Sequence, residues 1–352
     1  NLASAHGVHN KKVKLKVTDE NVLALANKLE TCTSLRTLRI SGNKLTDVSG
    51  VALGKALAKT TSLTHLDLKN NKFTEETGVA IGDGLAKNKS IHTLILNSNN
   101  LGGKGGAEII RSLAKNTTLR CLRLADNNLG TIFATQSPFS KLATSLRELN
   151  VGRNNLCDAS GVAIAKWLTT NDSLKILSFA GNNALKNKTG LAIAKMLKNN
   201  TSLEILYVFG TRLTDTSGTA IAESLTKNTS LRELTLSKED ENTIDANAAA
   251  PTLDELVSPK EKEATMGEVT AAAFIKMLTQ SSNPKLKKLV LAGISPETKA
   301  TIKFALSPEL KGLLNDPSVF PSRVPVCIVG FDNVGKTELM NTWHRTTDSK
   351  TP

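Results

Sequence analysis

The sequence predicts an α/β fold of the solenoid type: one short strand and one helix recur along the chain, with the strands in a parallel sheet on one face and the helices on the other. The first observation behind this is a period. Leu35, Leu63, Ile91, Leu119, Leu146, Leu174, Leu203 and Leu231 follow one another at intervals of 28, 28, 28, 27, 28, 29 and 28 residues, and self-similarity at a fixed spacing of this size marks a stacked-repeat architecture. The second is a motif inside each period, L-x-x-L-x-L-x-x-N-x-L, as in Leu35, Leu38, Ile40, Asn43, Leu45 and again in Leu63, Leu66, Leu68, Asn71, Phe73. The third is composition. Only 3% of the 352 residues are aromatic, with one Tyr and two Trp, so the core has to be aliphatic and regular, as a stack of like units is.

Each element can be justified in chain order within a unit. The alternating part of the motif is a short strand with its leucines inward, because side chains alternate across a strand. The asparagine follows where the chain turns out of the strand; its amide carries both a donor and an acceptor, which is what unpaired backbone groups in a small space require. A glycine and an amphipathic stretch come next, as in Gly50-Val51-Ala52-Leu53, Gly78-Val79-Ala80-Ile81, Gly161-Val162-Ala163-Ile164, Gly190-Leu191-Ala192-Ile193 and Gly218-Thr219-Ala220-Ile221. Their helical spacing runs on to Leu57, Leu85, Leu168 and Leu225.

Residues 1–32 read as an N-terminal capping repeat, with alternation at Val13, Leu15 and Val17 leading into a helix through Leu23, Leu25 and Leu29. Residues 33–314 are the repeat domain, with an insertion at about 238–264 of polar, charged and Ala/Pro-rich composition. The fourth unit lacks a standard helix pattern over Gly130 to Leu142. Residues 315–323 read as a linker and 324–352 as the start of a different domain.

A helix is wider than a strand, so stacking these units is expected to bend the solenoid into a horseshoe with the sheet on the concave face and the helices on the convex face. In its motif and its strand-helix unit, the chain resembles the ribonuclease-inhibitor-like class of leucine-rich repeats. The resemblance implies a curved surface presented to a protein partner.

The outward strand positions can be read off by alternation. They give a basic zone of Arg36, Arg39, Arg120, Arg123, Arg147 and Arg153, together with Asp67 and Asn150, and further on an apolar cluster of Ile176, Ile205, Tyr207 and Phe209. Large apolar groups at solvent-facing strand positions point to binding. The formal charge of +13 makes acidic partners plausible. Nucleic acid fits the arginines less well: stacking aromatics are not interleaved with them, and Asp67, Asp126, Glu148 and Glu204 interrupt them.

Several classes of chemistry find no support. Cys32, Cys121, Cys157 and Cys327 are far apart and form no C-x-x-C pair, and His6, His9, His65, His92 and His344 form no ligand cluster. A reduced, cytoplasmic compartment is expected, with no membrane partner, because no run approaches the ~18 apolar residues of a membrane span. The Asn-x-Ser/Thr triplets at Asn88, Asn116, Asn171, Asn200 and Asn228 have the form of glycosylation acceptors, but their fixed place in the repeat reads as a helix-end turn.

Near the end, the apolar stretch Val324 to Val329 leads into Gly330-Phe331-Asp332-Asn333-Val334-Gly335-Lys336-Thr337 and a helix-compatible Glu338 to Trp343. This is G-x-x-x-x-G-K-T in strand-loop-helix context. In such a loop Gly330 and Gly335 let the backbone curl, so that the N–H groups of Asp332, Asn333 and Val334 face phosphate. Lys336 brings a cation to the β- and γ-phosphates, and the Thr337 hydroxyl ligates Mg²⁺.

The wording of this loop is close to the first motif of small GTPases of the Arf group, and repeats followed by it resemble the N-terminal part of the Roco family, whose members carry repeats, a Roc GTPase domain and a COR dimerisation domain. The resemblance implies GTP or GDP and Mg²⁺ as cofactors of the parent protein and none for the repeats. It also implies an intramolecular partner as an alternative to a separate protein, in the parent's own GTPase and COR domains. The chain ends at Pro352 without a D-x-x-G or a guanine-reading N-K-x-D in place, so this chain by itself is expected not to hydrolyse GTP. Two other readings stay open: a stand-alone binding protein resembling ribonuclease inhibitor with a vestigial P-loop, and a GTPase regulator resembling RanGAP, which would call for an acidic tail that the chain does not show.

Overall fold

The computed structural model describes residues 17–135, 145–236, 267–280 and 286–291, with isolated positions between 294 and 306. The predicted first strand apart from Val17, the insertion at about 238–264, the linker and the P-loop segment, including Gly330, Asp332, Asn333, Val334, Gly335, Lys336 and Thr337, lie outside the described residues. The chain divides into two compact units after Leu149.

Unit 1 alternates α1 (Asp19–Leu29), β1 (Thr37–Arg39), α2 (Asp47–Leu57), β2 (His65–Asp67), α3 (Glu75–Lys87), β3 (Thr93–Ile95), α4 (Gly102–Ser112), β4 (Cys121–Arg123) and a short α5 (Ile132–Thr135). Its strands pair in parallel with the leucines in line: Leu38 opposite Leu66, Leu66 opposite Leu94, Leu94 opposite Leu122. The next strand, β5 (Glu148–Asn150), straddles the division. In unit 2, α6 (Asp158–Leu168), β6 (Ile176–Ser178), α7 (Asn187–Leu197), β7 (Ile205–Tyr207), α8 (Asp215–Leu225), β8 (Glu233–Leu236), α9 (Glu268–Gln280) and β9 (Lys288–Leu291) repeat the plan. There Leu177, Leu206, Leu234 and Leu289 are the parallel partners.

Both units are α/β repeat stacks with parallel strands, and their cores are the aliphatic rows the motif requires. Leu66, Leu94, Leu122, Leu177, Leu206 and Leu234 are buried, as are Leu57, Ile81, Leu85, Ile164, Leu168, Ile193 and Ile221 from the helices. The motif asparagine stitches neighbouring turns. Asn71 Nδ2 donates to the carbonyls of Leu68 (2.9 Å) and Ile40 (3.2 Å), while its Oδ1 accepts from the N–H groups of Asn43 and Leu45, both at 3.1 Å. Asn182 does the same for Asn154 and Leu156. Where Thr211 replaces the asparagine, one bond remains, from its hydroxyl to the Val208 carbonyl at 2.7 Å.

A second asparagine series closes the helix ends. Asn88 is 1% exposed; its Nδ2 donates to the Leu57 carbonyl at 2.7 Å and its Oδ1 accepts from Ile91 N–H at 2.7 Å. Asn116, Asn171, Asn200 and Asn228 are likewise buried. An amide enclosed and bonded in this way is structural, so none of these triplets presents an acceptor for glycosylation in the folded chain.

The helix starts differ from the sequence expectation. The recurrent glycine does not precede the helix but is its fourth residue, as Gly50 is in α2 and Gly161 in α6. The reason is a cap supplied from the preceding repeat. A helix leaves its first N–H groups without intrahelical partners. Here Asp47, the first residue of α2, accepts from the N–H (2.9 Å) and hydroxyl (2.6 Å) of Thr74 and from both groups of Thr77 at the start of α3. A Cβ at Gly50 would overlap Thr77 Oγ1, and one at Gly161 would overlap Thr189 Oγ1. The glycine therefore makes room for the residue that its own helix caps.

Candidate protein-interaction face

The strand face opposite the helices is set by alternation, and its occupants differ between the two units. In unit 2, Ile176 on β6 is the register partner of Ile205 on β7, and Tyr207 lies between Ser178 and Thr235. Ile176, Ile205 and Tyr207 are half-buried, which makes them an accessible apolar cluster on adjacent strands. The structure thus brings together three of the four predicted apolar residues.

Phe209 is the exception, and it is a correction to the outward placement: it is only 6% exposed. Strand β7 ends at Tyr207, the chain turns through Gly210 at φ 64°, and period-two alternation no longer governs Phe209. Its ring centroid lies 6.3 Å from that of Tyr207 at an interplanar angle of 58°. It supports the tyrosine and does not present a surface of its own.

The apolar cluster is bordered by charges that neutralise one another. Glu204 takes Lys175 Nζ at 3.1 Å and Arg232 Nη1 at 3.4 Å, and Glu233 takes Lys288 Nζ at 3.6 Å. An apolar centre with a paired polar border is the anatomy of a protein-binding patch. Of these five border residues only Glu204 stands out in the sequence, although the repeat register places Lys175, Glu204 and Arg232 at one position of successive units.

In unit 1 the predicted basic zone is present but partly engaged. Arg123 Nε donates to Glu148 Oε1 at 2.6 Å. Arg36 Nη1 and Arg120 Nη1 each donate to a backbone carbonyl of the next repeat, Ser62 and Ser145, at 3.0 Å. Asp67, expected outward, is 8% exposed, its Oδ1 accepting from the N–H of Lys69 at 3.1 Å. Arg39 and Arg147 are exposed. Two of the predicted residues fall in unit 2: Asn150 Oδ1 accepts from the Gly152 N–H at 3.0 Å, and Arg153 adopts φ 50° with its side chain across Gly181, where a Cβ would overlap its Cγ.

Two further groups lie on this face. Burial, then the charge of Glu148, pushes the Cys121 thiol up to about 12, so it stays protonated and unreactive at neutral pH. Burial and the cation of Arg39 push the His65 imidazole below its ordinary value, against the opposing pull of Asp67. Cys32, Cys121 and Cys157 are free thiols. Among the described residues no three His, Cys, Asp or Glu side chains gather to hold a metal, and no helix is long and apolar enough to cross a membrane.

Comparison with known proteins gives the repeats their name. A family model described as leucine-rich repeats in two copies matches residues 33–80, and a single leucine-rich repeat model matches residues 87–109, 115–131, 143–165 and 199–222. No curated protein matches the sequence. Among solved structures the chain is similar to leiomodin-1 actin-binding site 2 (17% identity, 57% of this chain and 88% of that chain covered, TM-score 0.35). It is also similar to the tropomodulin C-terminal domain of Caenorhabditis elegans (14%, 47% and 84%, 0.35) and to the yeast Rad7 and Elc1 complex (15%, 80% and 69%, 0.44). Leucine-rich repeats, an architecture of protein–protein interaction, are therefore present in both compact units of the chain.

Proposed function

We propose that this chain is the protein-binding, regulatory arm of a larger Roco-like GTP-binding protein, and that it engages its partner through the strand face. The observation that carries the reading is the apolar cluster of Ile176, Ile205 and Tyr207, half-buried on adjacent strands where the repeat itself requires no apolar side chain. The partner is a separate protein or the parent's own GTPase and COR domains, and the compartment is cytoplasmic.

The second half of the proposal rests on Gly330 to Thr337, whose G-x-x-x-x-G-K-T wording supports nucleotide binding by the parent. When bound, GTP or GDP with Mg²⁺ would supply a switch between two states of the parent. The repeats themselves take part in no catalytic step.

Two experiments test the two halves. Ile205→Ser with Tyr207→Ala, folded by circular dichroism, is expected to abolish capture of the partner; unchanged capture removes the strand-face reading. In the parent protein, Lys336→Ala is expected to abolish binding of a fluorescent GTP analogue in the presence of Mg²⁺, and undiminished binding removes the P-loop reading.

A further inference from the structure

The strand faces of the two units carry the same register position but opposite electrostatic arrangements. In unit 2 that position holds Lys175, Glu204, Arg232 and Lys287, and the one carboxylate bridges the cations on either side of it. In unit 1 it holds Arg36, Thr64, His92, Arg120 and Arg147, with no carboxylate at all. Arg36, His92, Arg120 and Arg147 are exposed.

Two of these arginines are held in place without being neutralised. Arg36 and Arg120 each spend one Nη1–H on a backbone carbonyl of the following repeat, which leaves the rest of the five-donor fork for a ligand. Three residues beyond Arg36, the Arg39 side chain has no hydrogen-bond or ion-pair partner among the described residues. The carboxylates closest in register, Asp67 and Glu148, are already engaged by the Lys69 N–H and by Arg123. The balance of charge at this face is therefore positive, since Arg36, Arg39, Arg120 and Arg123 outnumber Asp67 and Glu148.

We infer that the strand face of unit 1 docks an acidic segment of a protein partner, with Arg36, Arg39 and Arg120 as its anchors. The inference rests on the strand-face reading and names the partner's chemistry at that face. The forked guanidinium suits carboxylates bidentately. Five strands at about 4.8 Å span about 19 Å, the length of about six residues of extended peptide. A single-stranded nucleic acid would need aromatic platforms for its bases, and this register position holds none of Phe, Tyr or Trp.

The test uses the full chain and a labelled peptide of about ten residues, Asp and Glu alternating with Gly, read by fluorescence anisotropy. Binding is expected to weaken as salt rises from about 50 to about 300 mM. Arg36→Gln with Arg120→Gln is expected to weaken it about tenfold or more, whereas Lys166→Gln with Lys195→Gln, which removes the same charge from exposed helix positions of unit 2, leaves it within about twofold. Arg39→Gln alone gives a smaller loss and guards against misfolding of the double variant. Equal losses from the two double variants would mean attraction to net charge alone and would overturn the inference, as would a single-stranded RNA of equal charge that binds as tightly. If those overturning results come with partner capture still dependent on Ile205 and Tyr207, the strand-face reading survives this inference; if the arginine dependence holds but capture ignores Ile205 and Tyr207, the reverse is true.

Discussion

At the scale of single residues, the repeat separates side chains that hold the fold from those free to specify a partner. Leu122, at the centre of β4 and fully buried, belongs to the first kind. Leu122→Ala is expected to cost about 2–5 kcal/mol, through lost burial and the cavity left behind, as measured by urea unfolding. Tyr207→Ala is expected to cost about 1 kcal/mol or less in the same assay, because the ring is only half-buried. Phe209 shows where reading the sequence residue by residue breaks down. Alternation predicts orientation only while the backbone stays extended, and β7 stops two residues before it. The arginines of unit 1 are legible as a cluster, but their carbonyl and carboxylate partners come from the next repeat, so the pairing cannot be seen in any one motif.

At the scale of elements, the helix starts couple each unit to the next. Asp19 and Asp47 in unit 1 and Asp215 in unit 2 accept from N–H and hydroxyl groups of the following helix. Burial works to raise these carboxyls, but hydrogen bonds from Ser49 and Thr46, from Thr74 and Thr77, and from Gly267 and Thr270 outweigh it and hold each below its ordinary 3.8. A carboxyl depressed in the folded state stabilises above its unfolded value and loses that stabilisation as pH falls through the folded value. Stability is therefore expected to decline below about pH 4, and Asp47→Ala, costing about 1 kcal/mol at neutral pH, is expected to show a weaker decline in thermal melts taken across that range. Gly161→Val is expected to act on the same device by displacing Thr189, at a cost of about 1–3 kcal/mol. The glycines are visible in the sequence, but they read as preceding the helix because the apolar stripe starts after them. The polar first turn, Asp-x-Ser/Thr, carries the capping information that the stripe does not.

At the scale of the whole chain, self-similarity is what made the fold legible. A unit that recurs within one residue of 28 leaves little choice but to stack its leucines, and the described strands pair in that register within each unit. The division after Leu149 was not legible; it follows the repeat whose described helix is only Ile132–Thr135, and no single residue there announces it. Function was legible only to the level of a binding surface, since partner identity is written in the outward positions, which the repeat leaves free to vary. The most direct measurement is photo-crosslinking of the folded chain to its partner from a benzoylphenylalanine placed at Tyr207 and, separately, at exposed Lys198 on the helix side. Crosslinks from the Tyr207 position alone are the result expected of a strand-face interaction domain, and crosslinks from Lys198 with none from Tyr207 would contradict it.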